Sequence, residues 1–120
     1  MSRSVLIVES TWFIRQLLKK NIESAGDVTV KDVFDAKEAR EELKTGNFNL
    51  VILDLGIHGG DGLAFLVEMR TGMPGVPVVV LSSNQVRLKE AGNSKAADYL
   101  PVPVDMEQLK QSVNKILEQP

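Results

Sequence analysis

The sequence contains no cysteine and only one histidine, His58. Without cysteine the protein has no disulfide, no thiolate metal ligand and no cysteine nucleophile, which suits a reducing compartment such as the cytosol. We expect His58 to be an exposed loop residue, because the sequence offers no partner for it as a metal ligand or as a phosphohistidine.

Long apolar runs and an excess of charge of one sign are also missing. No run approaches the roughly 20 residues that cross a bilayer, and the apolar part of MSRSVLIVES is too short for a signal peptide. The 14 basic and 16 acidic residues give a net charge of −2, so electrostatics gives no reason to expect nucleic acid or an anionic membrane as a ligand. We expect a cytoplasmic protein that binds neither.

What the chain does have is the composition of one soluble globular domain. It has 120 residues, of which 43% are hydrophobic and 25% charged, and this length is typical of a single domain. No segment resembles a linker, and the prediction is one domain over residues 1–120.

Short apolar runs alternate with amphipathic segments five times. We predict strands over 4–8, 28–33, 50–53, 76–81 and 98–102, and helices over 12–25, 35–46, 63–70, 85–97 and from 105 onward. Asp35 and Asp105 are predicted helix caps. Five β–α repeats with short connections predict an α/β fold, a flavodoxin-like (βα)5 doubly wound parallel sheet with strand order 2-1-3-4-5.

Helical periodicity predicts which side chains of two helices face the core. The inward set of the first helix is Phe13, Ile14, Leu17, Leu18, Ile22 and Ala25, and that of the third helix is Leu63, Leu66 and Val67.

Ligand-binding groups of such folds lie beyond the carboxyl ends of the strands. Those ends carry Glu9 with Ser10, Asp54, Ser82 with Ser83, and Val102 with Pro103. Two carboxylates at one sheet edge repel each other, so a hard cation such as Mg²⁺ is a natural third component. Taken alone, Glu9 and Asp54 are better explained as solvated loop carboxylates.

Four motifs in order resemble the receiver domain of two-component response regulators. They are SVLIVES, with an acidic residue after the first strand; LVILDLGIHGGDGL, with an aspartate followed eight residues later by a glycine; VVVLSS; and ADYLPVP. The resemblance covers nearly the whole chain. It implies a cytoplasmic signalling protein rather than an enzyme, with a histidine kinase or phosphotransfer protein and an output protein as partners.

The same resemblance implies a role for five residues. Asp54 corresponds to the phosphoacceptor, Ser82 to the phosphoryl-sensing hydroxyl and Tyr99 to the switch aromatic, although Tyr99 also fits a partly buried edge aromatic. Glu9, Asp54 and the backbone carbonyl of Gly56 correspond to the metal ligands.

Three positions depart from the family pattern, and they lie in or beside the site. The second acidic residue of the pair is Ser10, the lysine before the final proline is Val102, and His58 replaces a frequent proline. The fourth helical segment is also about two residues short. The Val102–Pro103 bond is cis by resemblance, and Trp12 is expected either over the pocket or packed at the helix start.

The formal charge of the site indicates how these three departures affect the unmodified and the phosphorylated protein. Two carboxylates without lysine carry the same formal −2 as three carboxylates with lysine, so the unmodified fold tolerates the change. A phosphoryl group adds about −1.5 to −2 and lacks both the ammonium and one metal ligand. We therefore predict weak Mg²⁺ binding and poor phosphotransfer.

Three functions remain open at this point. The leading one is a divergent receiver with a degraded Mg²⁺ and phosphoryl site, acting in phosphorelay signalling mainly as a protein-interaction module. The second is a conventional receiver phosphorylated on Asp54 by a histidine kinase. The third, a small flavodoxin-like enzyme or flavin carrier, needs a glycine-rich phosphate loop after the first strand, where this chain has ESTWF.

Overall fold

A computed structural model describes residues 3–24, 26–57, 62–84, 89 and 95–118, and its strands form one parallel sheet. The strand order is β2-β1-β3-β4-β5, which confirms the predicted order. The strands are β1 (Arg3–Val8), β2 (Val28–Val33), β3 (Leu50–Asp54), β4 (Val78–Ser82) and β5 (Asp98–Pro101).

Four helices in the described residues flank this sheet: α1 (Trp12–Glu23), α2 (Ala36–Thr45), α3 (Gly62–Gly72) and α4 (Met106–Leu117). Both predicted caps are confirmed, because Asp35 accepts a hydrogen bond from the Glu38 amide and Asp105 accepts from the amides of Glu107 and Gln108. The helix predicted over 85–97 falls largely outside the described residues, as does His58. Within the described part of the chain, no helix is long and apolar enough to cross a membrane.

Helices cover the sheet on both faces, and the three central strands are buried. The face under α2 and α3 packs side chains such as Leu6, Leu53 and Phe65, whereas the face under α1 and α4 packs Ile7, Leu18, Ile52, Leu81 and Leu109. The prediction that 50–53 is apolar because both faces are covered is confirmed, since all four side chains are buried.

The helical periodicity predicted wider buried faces on α1 and α3 than the structure has. Phe13 is 67%, Leu17 38% and Val67 49% exposed, so the prediction that they face the core was wrong. A helix that packs on a flat sheet buries a narrow row of side chains, here Leu18 and Ile22 on α1, and apolar residues beside that row lie in solvent. Ala25 lies outside the described residues.

Two strand ends also differ from the prediction. β4 begins at Val78 rather than at 76, because Pro77 has no amide hydrogen and contributes only its carbonyl, which accepts from Val51 N. β5 ends at Pro101 rather than at 102. The Val102–Pro103 peptide bond is cis, as predicted.

Candidate functional site

Parallel pairing brings three of the predicted site residues to the same edge of the sheet. Glu9 follows β1, Asp54 ends β3 and Ser82 ends β4, and these strands are direct neighbours. Glu9 and Ser82 are buried, at 4% and 5% exposure, while Asp54 is partly exposed. The carboxyl edge therefore presents one carboxylate to solvent with a second one beneath it.

The side chains of Glu9 and Asp54 lie close enough to interact directly. Burial of the Glu9 carboxyl, followed by the hydrogen bond with Asp54 and the charge of Asp54, raises the pKa of Glu9 to about 9, although Arg15 acts in the opposite direction. Burial and the neighbouring Asp54 therefore favour a proton on Glu9. A hard cation would take the place of that proton, so the oxygen donors present fit Mg²⁺ chemically.

The turn after β3 packs closely against Asp54. The Gly56 amide donates to Asp54 Oδ1 over 2.7 Å. Farther along, a Cβ atom on Gly62 would lie 2.5 Å from both Cα and O of Leu55. The glycine eight residues after the aspartate is therefore required by the close approach of the start of α3 to the loop that follows Asp54.

A small pocket of about 190 Å³ opens beside Asp54, lined by Asp54, Leu55, Gly56, Ser82, Ser83 and Asn84. Ser82 Oγ accepts a hydrogen bond from the Asn84 amide over 3.0 Å, which fixes this hydroxyl at the pocket wall. The volume of this pocket is several times the roughly 30 Å³ that one water molecule occupies. A small polyatomic group therefore fits between Asp54 and Ser82.

Val102 and Tyr99 extend the site toward β5 with apolar surface. The Val102 amide donates to the Ser82 carbonyl over 3.1 Å, and its half-buried side chain packs on the core face under α1 and α4. Tyr99 is also half-buried and packs on the opposite face, under α2 and α3.

Ser10 adds no carboxylate, and its hydroxyl donates to the Phe34 carbonyl over 2.9 Å. That bond joins the β1–α1 turn to the end of β2. Trp12 is 64% exposed at the start of α1, so the packed arrangement considered for it is not adopted. Among the residues that the structure describes, no three His, Cys, Asp or Glu side chains are grouped as a metal site.

Arg15 is a supporting residue that the sequence interpretation missed. Its Nη1 donates to the Glu9 carbonyl and its Nε to Asp32 Oδ2, both over 2.8 Å. Burial alone would raise the pKa of Asp32, but hydrogen bonds from Arg15, Lys19 and Gln16 lower it below its usual value. The available signal was an acidic residue in β2 facing three polar residues spaced along one side of α1.

Comparison with known proteins agrees with this architecture. The profile of the response regulator receiver domain family matches residues 5–114. Among curated proteins, the chain is 33% identical over 115 residues to the transcriptional regulatory protein BasR of Escherichia coli, covering 94% of this chain and 51% of BasR. It is 36% identical over 115 residues to the KDP operon transcriptional regulatory protein KdpE of Escherichia coli, covering 89% and 48%.

A solved structure gives the same result. The Francisella response regulator 1452 receiver domain superposes with a TM-score of 0.87 at 27% identity, covering 96% of each chain. The chain spans about half the length of the curated relatives it matches. The family match over 5–114, together with these relatives, shows that this chain belongs to the response regulator receiver domain family.

Proposed function

We propose that this receiver domain carries an incomplete phosphoryl site and acts mainly by binding other proteins. The observation that carries the proposal is the apolar setting of Val102, whose side chain packs with the core where the family pattern has an ammonium group. Ser10 supports it, because its hydroxyl donates to the Phe34 carbonyl and supplies no second acidic ligand.

The proposed roles of the remaining residues are those of the matching positions in the family pattern, and their place at the carboxyl edge supports them. Asp54 is the partly exposed carboxylate and the candidate acceptor, and Ser82 lines the same pocket. Glu9, Asp54 and the Gly56 carbonyl would hold Mg²⁺, which neutralises oxygen charge at a phosphoryl group when bound. Mg²⁺ binding is weak in this proposal, because two carboxylates bind a hard cation less well than three.

Electrostatics explains why Val102 matters more than Ser10. A phosphoryl group on Asp54 would bring about −1.5 to −2 charge beside Glu9. Removing one positioned stabilising group from such a site costs on the order of 2.7–4 kcal/mol in the transition state. Excess Mg²⁺ compensates for weak metal binding by mass action, whereas a solvent cation is not held in position before the reaction.

A conventional receiver, phosphorylated on Asp54, is the second candidate. The observation that favours it is the intact Glu9–Asp54 pair beside a pocket that also contains Ser82. In both candidates the partners we propose are a histidine kinase or phosphotransfer protein and an output protein. The family assignment favours either candidate over a flavin carrier, and response regulators are generally not enzymes.

Phosphorylation with acetyl phosphate in saturating Mg²⁺, followed by intact mass measurement, tests the proposal. We expect little label on wild type, some on Ser10→Asp, and the most on Ser10→Asp combined with Val102→Lys. Val102→Met is the control for side-chain length without charge, and Asp54→Asn is the control for the labelled residue. Rapid stoichiometric labelling of wild type that Asp54→Asn abolishes would establish the conventional receiver instead.

Amide resonances distinguish labelling from switching. With beryllofluoride as the phosphoryl mimic, we expect Ser10→Asp to respond near Asp54 only, and the double variant to respond near Ser82 and Tyr99 as well. A Tyr99-region shift in wild type would contradict the proposed uncoupling.

A further inference from the structure

A second, larger pocket lies at the amino edge of the sheet, opposite Asp54. It has a volume of about 770 Å³ and is lined where strands begin, by residues that include Arg3, Pro77 and Asp98, together with the last turns of α3 and α4. This volume falls within the roughly 300–1,000 Å³ typical of small-molecule sites. The size alone permits a ligand of nucleotide dimensions.

The charge lining this pocket contrasts with the charge of the whole chain. Four basic side chains line it, Arg3, Arg70, Lys95 and Lys115, and one acidic side chain, Asp98, whereas the chain carries a net charge of −2. Asp98 accepts hydrogen bonds from Ser112 Oγ over 2.6 Å and from the Tyr99 amide over 2.8 Å. Its carboxylate is therefore held by neutral donors.

Five basic side chains elsewhere in the described residues form ion pairs with carboxylates, and the four in the pocket do not. Ion pairs elsewhere are Arg15–Asp32, Lys19–Asp32, Arg40–Glu68, Lys44–Glu41 and Lys110–Glu107. Of the four pocket cations, none forms an ion pair with a described residue. Like charges that share one concave surface repel each other, and a bound anion would relieve that repulsion.

Two of the four cations also have a local structural role. Arg70 donates to the carbonyls of Met73, Pro74 and Val76 after α3, and Lys115 lies in the last turn of α4, where a cation is favourable in any case. Even so, burial lowers the pKa of Arg70, and its Nε is buried without a hydrogen-bond partner in the described structure.

Arg3 and Lys95 have no such explanation. Neither side chain donates a hydrogen bond to a described residue, and Lys95 adopts a left-handed backbone conformation, with φ of 58°. Lys95 is an exposed turn residue, so its side chain is accessible to a ligand in the pocket. Arg3 and Lys95 are therefore the two pocket cations whose side chains have no partner among the described residues and are available to a ligand.

We propose that the amino-edge pocket binds a small multivalent anion that carries a diphosphate or triphosphate group. Arg3 and Lys95 contact the phosphates, and Arg70 and Lys115 supply the surrounding positive potential. Phosphate oxygens suit this lining because they accept hydrogen bonds from guanidinium and ammonium groups while neutralising both. The site is separate from Asp54 and does not depend on the proposed function.

Titration of the full chain with inorganic pyrophosphate, followed by amide resonances, tests this site. We expect saturable shifts at residues such as Arg3, Lys95 and Asp98, which weaken as the salt concentration rises. Arg3→Gln and Lys95→Gln should each weaken binding about three- to fivefold. Lys31→Gln and Lys37→Gln remove the same charge outside this pocket and should leave the affinity unchanged.

Three outcomes would overturn the proposal: no saturation below about 10 mM pyrophosphate, equal losses in the control variants, or shifts confined to Asp54 and Ser82. Unfolding curves of each variant establish that the fold is retained. A parallel titration with ADP identifies the source of the phosphate. Equal affinity indicates recognition of the diphosphate alone, and tighter ADP binding indicates a nucleotide, both in support of the site.

Discussion

The two sides of the carboxyl edge are built differently. On the β1–β3 side, Glu9 is buried beside Asp54, and its backbone carbonyl accepts a hydrogen bond from Arg15. On the β4–β5 side, Ser82 has a local amide partner, but Val102 and Tyr99 pack as apolar groups against opposite core faces. A carboxyl pair can therefore be held in place by burial and by its neighbours on one side of the edge while the other side is lined by apolar groups.

Gly62→Ala should have the largest effect on the Asp54 side. The new Cβ would lie 2.5 Å from the Leu55 backbone, and relieving this clash should lower the free energy of unfolding by about 3 kcal/mol. Urea unfolding measures it. Gly72→Ala is the control within the same helix, since its Cβ would meet nothing within 4 Å and should gain up to about 1 kcal/mol. Equal losses in both variants would contradict the packing argument.

Arg15→Met should lower the free energy of unfolding by about 2 kcal/mol at pH 7, because the Glu9 carbonyl and Asp32 each lose a charged donor. Lys19→Met, which leaves those bonds in place, should cost only about 0.5 kcal/mol.

The same pair of variants gives a pH test. The folded pKa of Asp32 is lowered below its usual value of 3.8, so its stabilising contribution is present above this pH and is lost as the pH falls through the folded pKa. Chemical unfolding should show that Arg15→Met lowers the free energy of unfolding by less below pH 3.8 than at pH 7. A pH-independent cost would mean that Asp32 is not involved.

Glu9→Gln tests the buried carboxyl pair in the presence of EDTA. The folded pKa of Glu9 is raised from 4.5 to about 9, so folding favours the protonated acid, and the stability of wild type falls as the pH rises from 4.5 toward 9. Glutamine does not ionise, and the variant should exceed wild type in free energy of unfolding by at least about 1 kcal/mol at pH 8. Near pH 4.5 the two proteins should be similar.

Glu23→Gln is the matched control, because it makes the same replacement at an exposed position and should change the free energy of unfolding at pH 8 by no more than about 0.5 kcal/mol. If Glu9→Gln is no more stable than wild type at pH 8, the carboxyl pair does not share a proton.

Tyr99→Phe should have the smallest effect. Tyr99 is half-buried and packs its ring on the face under α2 and α3, and phenylalanine keeps that contact. We expect a change in the free energy of unfolding within about 0.5 kcal/mol. A loss above 1.5 kcal/mol would reveal a hydroxyl bond that couples this side of the edge to the rest of the site.

The sequence by itself determined the order of the strands, the two helix caps and the edge at which Glu9, Asp54 and Ser82 meet. These features depend on local patterns and on general rules: apolar runs form buried strands, aspartate caps helices, and parallel strands end at a common edge. The receiver family was also identifiable from four motifs, because their spacing reflects backbone requirements such as the close approach at Gly62.

Only the tertiary structure decided which apolar side chains are buried and how the site residues are supported. Phe13 and Val67 belong to the apolar faces of their helices but are largely exposed, because the sheet covers only a narrow row of side chains on each helix. The bonds from Arg15 to Asp32 and from Ser10 to Phe34 join segments distant in sequence, so no local pattern specifies them. The raised pKa of Glu9 arises from burial and from Asp54, and both are properties of how the chain packs around that carboxyl group.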